Sequence, residues 1–148
     1  MISACYHENM KALSDIFPLN SQVSRDGHLI IDGCDVVDLL SRYGSPLYVC
    51  SENDLRYRCR EFKSAFCYDG LNFKVIYAGK SWLNKAILEI VHQEDLGLDT
   101  VSGGEIEIAL AAGFPMDKVY FHGNNKLDSE LLLALKSGIA RIVVDNID

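Results

Sequence analysis

Lys80 closes the run FKVIYAGK, an apolar stretch that terminates in a glycine and a primary amine. A lysine just past a buried strand is held on a rigid support. Apolar walls beside it can lower its pKa and free the amine to condense with a carbonyl as an imine. The ordinary alternative is a solvated surface lysine, and one lysine after a strand does not decide between the two. Two further stretches carry polar groups in the same kind of place. LGLDTVSGGE sets the carboxylate of Asp99 at the end of an apolar run, and FHGNNK gathers His122, Asn124, Asn125 and Lys126. Ser102 and Glu105 have the spacing of a capping box, which accounts for both without any chemistry. Capping does not explain Asp99. Nor does it require Gly103 and Gly104, which would admit close approach by a ligand or a neighbouring strand. Gly-Asn-Asn equally suits a turn that needs positive φ.

Several function classes are disfavoured. No second His or Cys stands at ligand spacing from His122, so no metal site is expected. Neither a G-x-x-x-x-G-K-[ST] loop nor a G-x-G-x-x-G after a strand is present, which removes the usual nucleotide readings. The net charge of −7 argues against a nucleic-acid partner, which needs a basic surface. The five cysteines, Cys5, Cys34, Cys50, Cys59 and Cys67, form no C-x-x-C pair and suggest neither a disulfide framework nor a zinc knuckle. Cys50 and Cys59 read as small core residues. No stretch reaches the roughly 18 apolar residues of a membrane span. The N-terminus lacks the basic-then-apolar pattern of a secretory signal. A cytoplasmic protein with no membrane partner is expected.

The elements that must position these groups alternate. Met1–Gln22 is polar and mixed, and is expected to be loosely structured. Val23–Gly44 holds a short strand at His28–Asp32 and a helix over Asp35–Tyr43, ended by Gly44. From Ser45 to Asp148 the pattern is strand then helix. Strands are expected at Pro46–Cys50, Phe73–Ala78, Leu96–Val101, Val119–Phe121 and Ile139–Val144. Ser51 is expected to cap the first helix, with Leu55, Cys59, Phe62 and Phe66 inward. The second begins near Leu83, with Ala86, Ile87, Ile90 and Val91 inward. The third runs from Ser102 to Gly113, and the fourth is capped by Asp128 and ended by Gly138. Strands recurring every 22 to 27 residues or so are βα units of a parallel sheet. In such sheets function gathers at the C-terminal strand ends, where Lys80, Asp99, His122 and the stretch from Asp145 onward fall. A five-stranded flavodoxin-like sheet suits the length as a whole domain. A (β/α)8 barrel needs at least about 200 residues. Pattern alone favours the former.

YAGK at Tyr77–Lys80, GLDTVSGGE at Gly97–Glu105 and AGFPMDKVYFHGNNK at Ala112–Lys126, in this order and spacing, resemble the N-terminal half of diaminopimelate decarboxylases. These are fold-type III pyridoxal-phosphate enzymes, related to alanine racemase and to ornithine and arginine decarboxylases. The resemblance runs from about Leu29 to Asp145 and overturns the preference for a flavodoxin-like sheet. It implies the N-terminal portion of a parallel (β/α)8 barrel of the alanine racemase type, with about five strands. The strand His28–Asp32 would belong to a separate β-domain.

The resemblance also implies roles. Lys80 would carry pyridoxal 5′-phosphate, be displaced by the substrate amine and return as a proton-transfer group. Asp99 would lie near the lysine and cofactor, and His122 would border the cofactor pocket. The activity implied is decarboxylation of meso-diaminopimelate to L-lysine, in an enzyme expected to be a homodimer. Ser81-Trp82 departs from the residues more usual after the lysine, though an aromatic there fits. The chain stops after its fifth strand, without the family's later histidine, phosphate loop, acidic partner of the pyridine nitrogen or C-terminal β-domain. These 148 residues alone are therefore expected to be inactive. Arginine, ornithine or a carboxylated polyamine are alternative substrates, and a non-catalytic truncated interaction module is the alternative of another class.

Overall fold

The computed structural model of the chain describes residues 16–66, 70 and 72–145. Most of the segment Met1–Gln22 expected to be loose therefore lies outside the described residues, as do Cys5, Cys67 and residues 146–148. The chain divides into two compact units, Met1–Tyr57 and Arg58–Asp148.

The first unit holds a three-stranded antiparallel sheet in the order β1 (Gln22–Val23), β2 (Leu29–Ile31), β3 (Cys34–Asp35). Ile31 pairs with Cys34, so Asp32 and Gly33 form a two-residue hairpin turn. Both have positive φ, 52° and 83°, as a right-twisted hairpin demands. Helix α1 (Val36–Tyr43) follows at once, its first turn capped by Asp35, whose Oδ1 accepts from the Val37 N–H at 2.8 Å. Asp32 accepts hydrogen bonds from Ser51 Oγ at 2.5 Å, Asn53 Nδ2 at 2.9 Å and Asn20 Nδ2 at 3.0 Å. Ser51 in turn accepts from the Asp54 N–H at 3.0 Å, capping α2 (Glu52–Ala65) as its sequence position predicts.

The second unit is built on four parallel strands, β4 (Ile76–Ala78), β5 (Gly97–Thr100), β6 (Val119–Phe121) and β7 (Arg141–Ile142), in that spatial order. Helices α3 (Lys85–Gln93), α4 (Gly103–Ala112) and α5 (Asp128–Ser137) connect them. A flavodoxin-like sheet reverses its strand order, 2-1-3-4-5, whereas four strands in strict sequence order follow the circumference of a barrel. This unit is a partial (β/α) barrel. Side chains alternate across the sheet. Leu98, Thr100, Val119 and Phe121 are fully buried, and Phe121 packs with Ile106 of α4 and Ala134 of α5. Ala78, Asp99 and Tyr120 stand in register on the opposite face and are only half-buried.

Some local expectations are corrected. Residues 46–50 pair with no strand among the described residues, and Tyr48 is 93% exposed. A barrel strand is held from both sides, and an apolar run with no ladder partner stays out of the sheet. Cys50 is accordingly exposed, while Cys59 is buried as expected. Phe62 and Phe66 are exposed, and Phe66 meets Phe73 at 6.4 Å between ring centroids. On α3 the inward residues include Leu88, and Ala86 faces out. That helix opens close to the expected start near Leu83, with Asn84 as its cap and Asn84 Oδ1 accepting from the Ile87 N–H at 3.0 Å. Asp128 lies inside α5 and caps nothing. Leu127 is the cap residue, and the Glu130 carboxylate takes its N–H at 2.9 Å.

Candidate functional site

Lys80 sits on a 3-10 turn, Gly79–Ser81, that follows directly on β4. Gly79 is buried, and a Cβ on it would fall 2.7 Å from the Asp99 carbonyl oxygen, closer than any real side chain tolerates. Only glycine lets the end of β4 press against the backbone of β5 there. Two bonds close the turn. Ser81 Oγ donates to the Ala78 carbonyl at 2.7 Å, and the Tyr77 hydroxyl donates to the Trp82 carbonyl at 2.7 Å. The Lys80 side chain itself is exposed, so the apolar walls expected around it are not supplied by the described residues.

Asp99 pairs in register with Ala78 on one side and Tyr120 on the other. It is half-buried, and burial raises its pKa above the usual carboxylate range. The nearby charges of His122 and Lys80 pull it back down. His122 continues the β6 line, its backbone N–H donating to the Thr100 carbonyl at 2.8 Å. Its half-exposed imidazole places Nε2 3.4 Å from Oδ1 of Asp145. Gly123 next to it has φ 119°, and a Cβ there would stand 3.2 Å from the Val101 carbonyl oxygen. The sheet thus brings Lys80, Asp99 and His122 to one edge, as the sequence reading places them.

The remaining polar residues of these loops have structural tasks. Ser102 Oγ accepts from the Glu105 N–H at 3.4 Å, but Glu105 reaches back to the Val101 N–H at 2.6 Å, one residue before the cap. Gly103 does admit a close approach, though by a side chain. Glu130 Oε1 accepts its N–H at 2.6 Å, and a Cβ on Gly103 would meet Glu130 Cγ at 3.1 Å. A Cβ on Gly104 would make only an ordinary contact, 3.9 Å from Ser102 Oγ. Lys126 Nζ donates to the Gly123 carbonyl at 2.5 Å and stands 5.9 Å from the Phe121 ring centroid, folding its loop back on the strand. Asn124 and Asn125 are exposed.

Two residues escaped the sequence reading. Glu130, which ties the starts of α4 and α5 together, has a signal in hindsight, a carboxylate three residues after Leu127. Asp145 stands in a loop expected to face the same edge, yet nothing in VVDNID singles it out as the partner of His122.

Residues 52–148 match the family described as pyridoxal-dependent decarboxylase, pyridoxal binding domain. A diaminopimelate decarboxylase of Bacillus methanolicus is 46% identical over 126 residues, which are 85% of this chain and 29% of that protein. One from Methanothermobacter thermautotrophicus is 44% identical over 131 residues, 88% of this chain and 30% of that protein. The chain therefore spans less than a third of the length of these curated relatives. Among solved structures, diaminopimelate decarboxylase from M. jannaschii in complex with L-lysine superposes with a TM-score of 0.73 at 35% identity, covering 85% of this chain and 30% of that one. A lysine/ornithine decarboxylase from Vibrio vulnificus complexed with putrescine gives 0.67 at 25% identity, covering 76% and 30%.

Proposed function

The chain belongs to the pyridoxal-dependent decarboxylase family through its pyridoxal-binding domain, and from that premise we propose that it supplies the cofactor-bearing lysine, Lys80, of an amino-acid decarboxylase. In the complete protein the substrate would be diaminopimelate and the products L-lysine and carbon dioxide. The higher identity to the superposed diaminopimelate decarboxylase, 35% against 25% for the lysine/ornithine enzyme, supports this substrate over ornithine. A homodimer in the cytoplasm is part of the same proposal.

The residues present suit pyridoxal 5′-phosphate. The observation that carries the reading is an exposed primary amine on a closed turn at the C-terminal edge of a parallel sheet, with a half-buried carboxylate on the next strand. When bound, the cofactor supplies an electron sink for the charge left as carbon dioxide departs. The chain's own groups do the rest. Lys80 would hold the cofactor's aldehyde carbon through Nζ and, once released, move a proton through the same atom. Asp99 would set the charge beside that amine, and His122 would stand beyond it at the end of the next strand. The turn bonds of Ser81 and Tyr77 fix the direction from which Lys80 enters.

Borohydride reduction after incubation with pyridoxal 5′-phosphate, followed by peptide mass mapping, tests the proposal. The pyridoxyl mass should appear on the peptide containing Lys80 and vanish in Lys80→Ala. Carbon dioxide release from meso-diaminopimelate by the complete protein should fall by several orders of magnitude in the same variant. A label on another lysine, or release unchanged by the substitution, refutes it.

A further inference from the structure

One charged or chargeable side chain comes from the end of each of four consecutive strands. Lys80 follows β4, Asp99 lies in β5, His122 follows β6 and Asp145 follows β7. With the imidazole protonated, their signs alternate along the edge. Lys80 and His122 each act electrostatically on Asp99 between them, and the fourth stands 3.4 Å from the third. Other charged groups of the same loops are committed elsewhere. Glu105 is bonded to the Val101 N–H, and Lys126 to the Gly123 carbonyl. Asn124 and Asn125 carry no charge. Asp145 is thus the carboxylate at ion-pair distance from His122 among the described residues, and His122 in turn acts on Asp99 of the adjacent strand.

We propose that Asp145 is a positioning residue for the Lys80 edge: its carboxylate holds the His122 imidazole beside Asp99, so that the row of alternating charges stays in register across four strands. The half-exposed ring has no other side-chain partner at ion-pair distance among the described residues. Without Asp145 it is free to turn away into solvent, and Asp99 loses the cation that offsets the cost of its burial. The importance of this edge rests on the cofactor reading above; the positioning itself does not.

The carboxyl titration of Asp99, followed by 13C NMR of the protein without cofactor, provides the test. Asp145→Asn acts on Asp99 by two routes of opposite sign. Loss of a negative charge would lower the Asp99 midpoint directly, whereas release of His122 would raise it. The midpoint should rise by roughly 0.3–0.7 pH unit, the scale of half-exposed charge interactions. Asp145→Glu should restore it, and Asp145→Asn should have no upward effect in a His122→Ala background. A midpoint unchanged or lowered by Asp145→Asn overturns the proposal, as does an equal rise without His122. Because no cofactor is present, failure of labelling at Lys80 would sink the cofactor reading and leave this one standing.

Discussion

Asp32 in the first unit and Asp99 in the second both stand at the ends of short strands, and their surroundings push them in opposite directions. Asp32 is ringed by donors from Ser51, Asn53 and Asn20, and these hydrogen bonds hold its carboxyl down at about 2. Asp99 is half-buried, and burial pushes its carboxyl up against the pull of His122 and Lys80. A carboxylate saturated by neutral donors ties loops together and has little capacity left for a ligand. A carboxylate whose burial is offset only by mobile or half-exposed cations responds to whatever binds beside it. The same residue type is a fastening in one unit and a responsive group in the other.

The largest expected effect comes from the glycine that brings the second aspartate into place. Gly79→Ala puts a methyl group 2.7 Å from the Asp99 carbonyl oxygen, a backbone atom in the middle of a parallel ladder. Either β4 or β5 must shift. The cost should be roughly 1–3 kcal/mol, the range for overpacking a close-packed site, read as a lower denaturant midpoint. Labelling of Lys80 should fall with it, because the turn that carries the lysine moves. A variant as stable as the parent would mean that the close approach of the strands does not fix this edge.

Next in size is Asp32. Its folded-state pKa is depressed from the ordinary 3.8 to about 2. The stability it contributes is therefore present above about pH 4 and lost as the pH falls towards 2. Asp32→Asn keeps a side chain that tolerates the positive φ of this turn but removes the ionised acceptor. The variant should unfold more readily at pH 7 and show a flatter acid limb between pH 4 and 2 than the parent. An acid limb that is the same in both proteins would show that these donors do not single out the charged form.

These two sites were unequally legible in the sequence. Lys80, Asp99 and His122 could be placed at one edge because apolar strands of a βα repeat reveal their own C-terminal ends. The parallel sheet and the helix ends at Gly44, Gly113 and Gly138 follow from the same periodicity. The Asp32 cluster could not, since it joins residues 12 to 21 positions apart mainly through side chains. Its turn did carry a signal, the Asp-Gly pair between short apolar runs, which specifies a two-residue hairpin. Residues 46–50 misled in the other direction. An apolar run resembles a strand whether or not a partner is at hand, and here none of the described residues pairs with it. Asp145 was hidden for a similar reason, because its value depends on a histidine 23 positions earlier.

The smallest effect on stability, and the one that most sharpens the contrast, is expected at Asp99. Its raised folded-state pKa means that the native state holds the proton more tightly than the unfolded chain. Ionising it costs stability, and that cost grows as the pH rises through the window above 3.8. Asp99→Asn removes the cost while preserving shape, so stability at pH 7 should be unchanged or slightly higher, and the decline on raising the pH from about 4 should be reduced. Asp32→Asn should instead lower stability at pH 7 and flatten the limb below about pH 4. Labelling of Lys80 should nonetheless weaken in Asp99→Asn, since the carboxylate that would balance the positive charge of the amine–aldehyde condensation product is gone. A residue whose removal leaves the fold intact or firmer but impairs the reaction beside it is held there for that reaction. If Asp99→Asn instead destabilises the protein as Asp32→Asn does, Asp99 is a second fastening and the distinction between the two units fails.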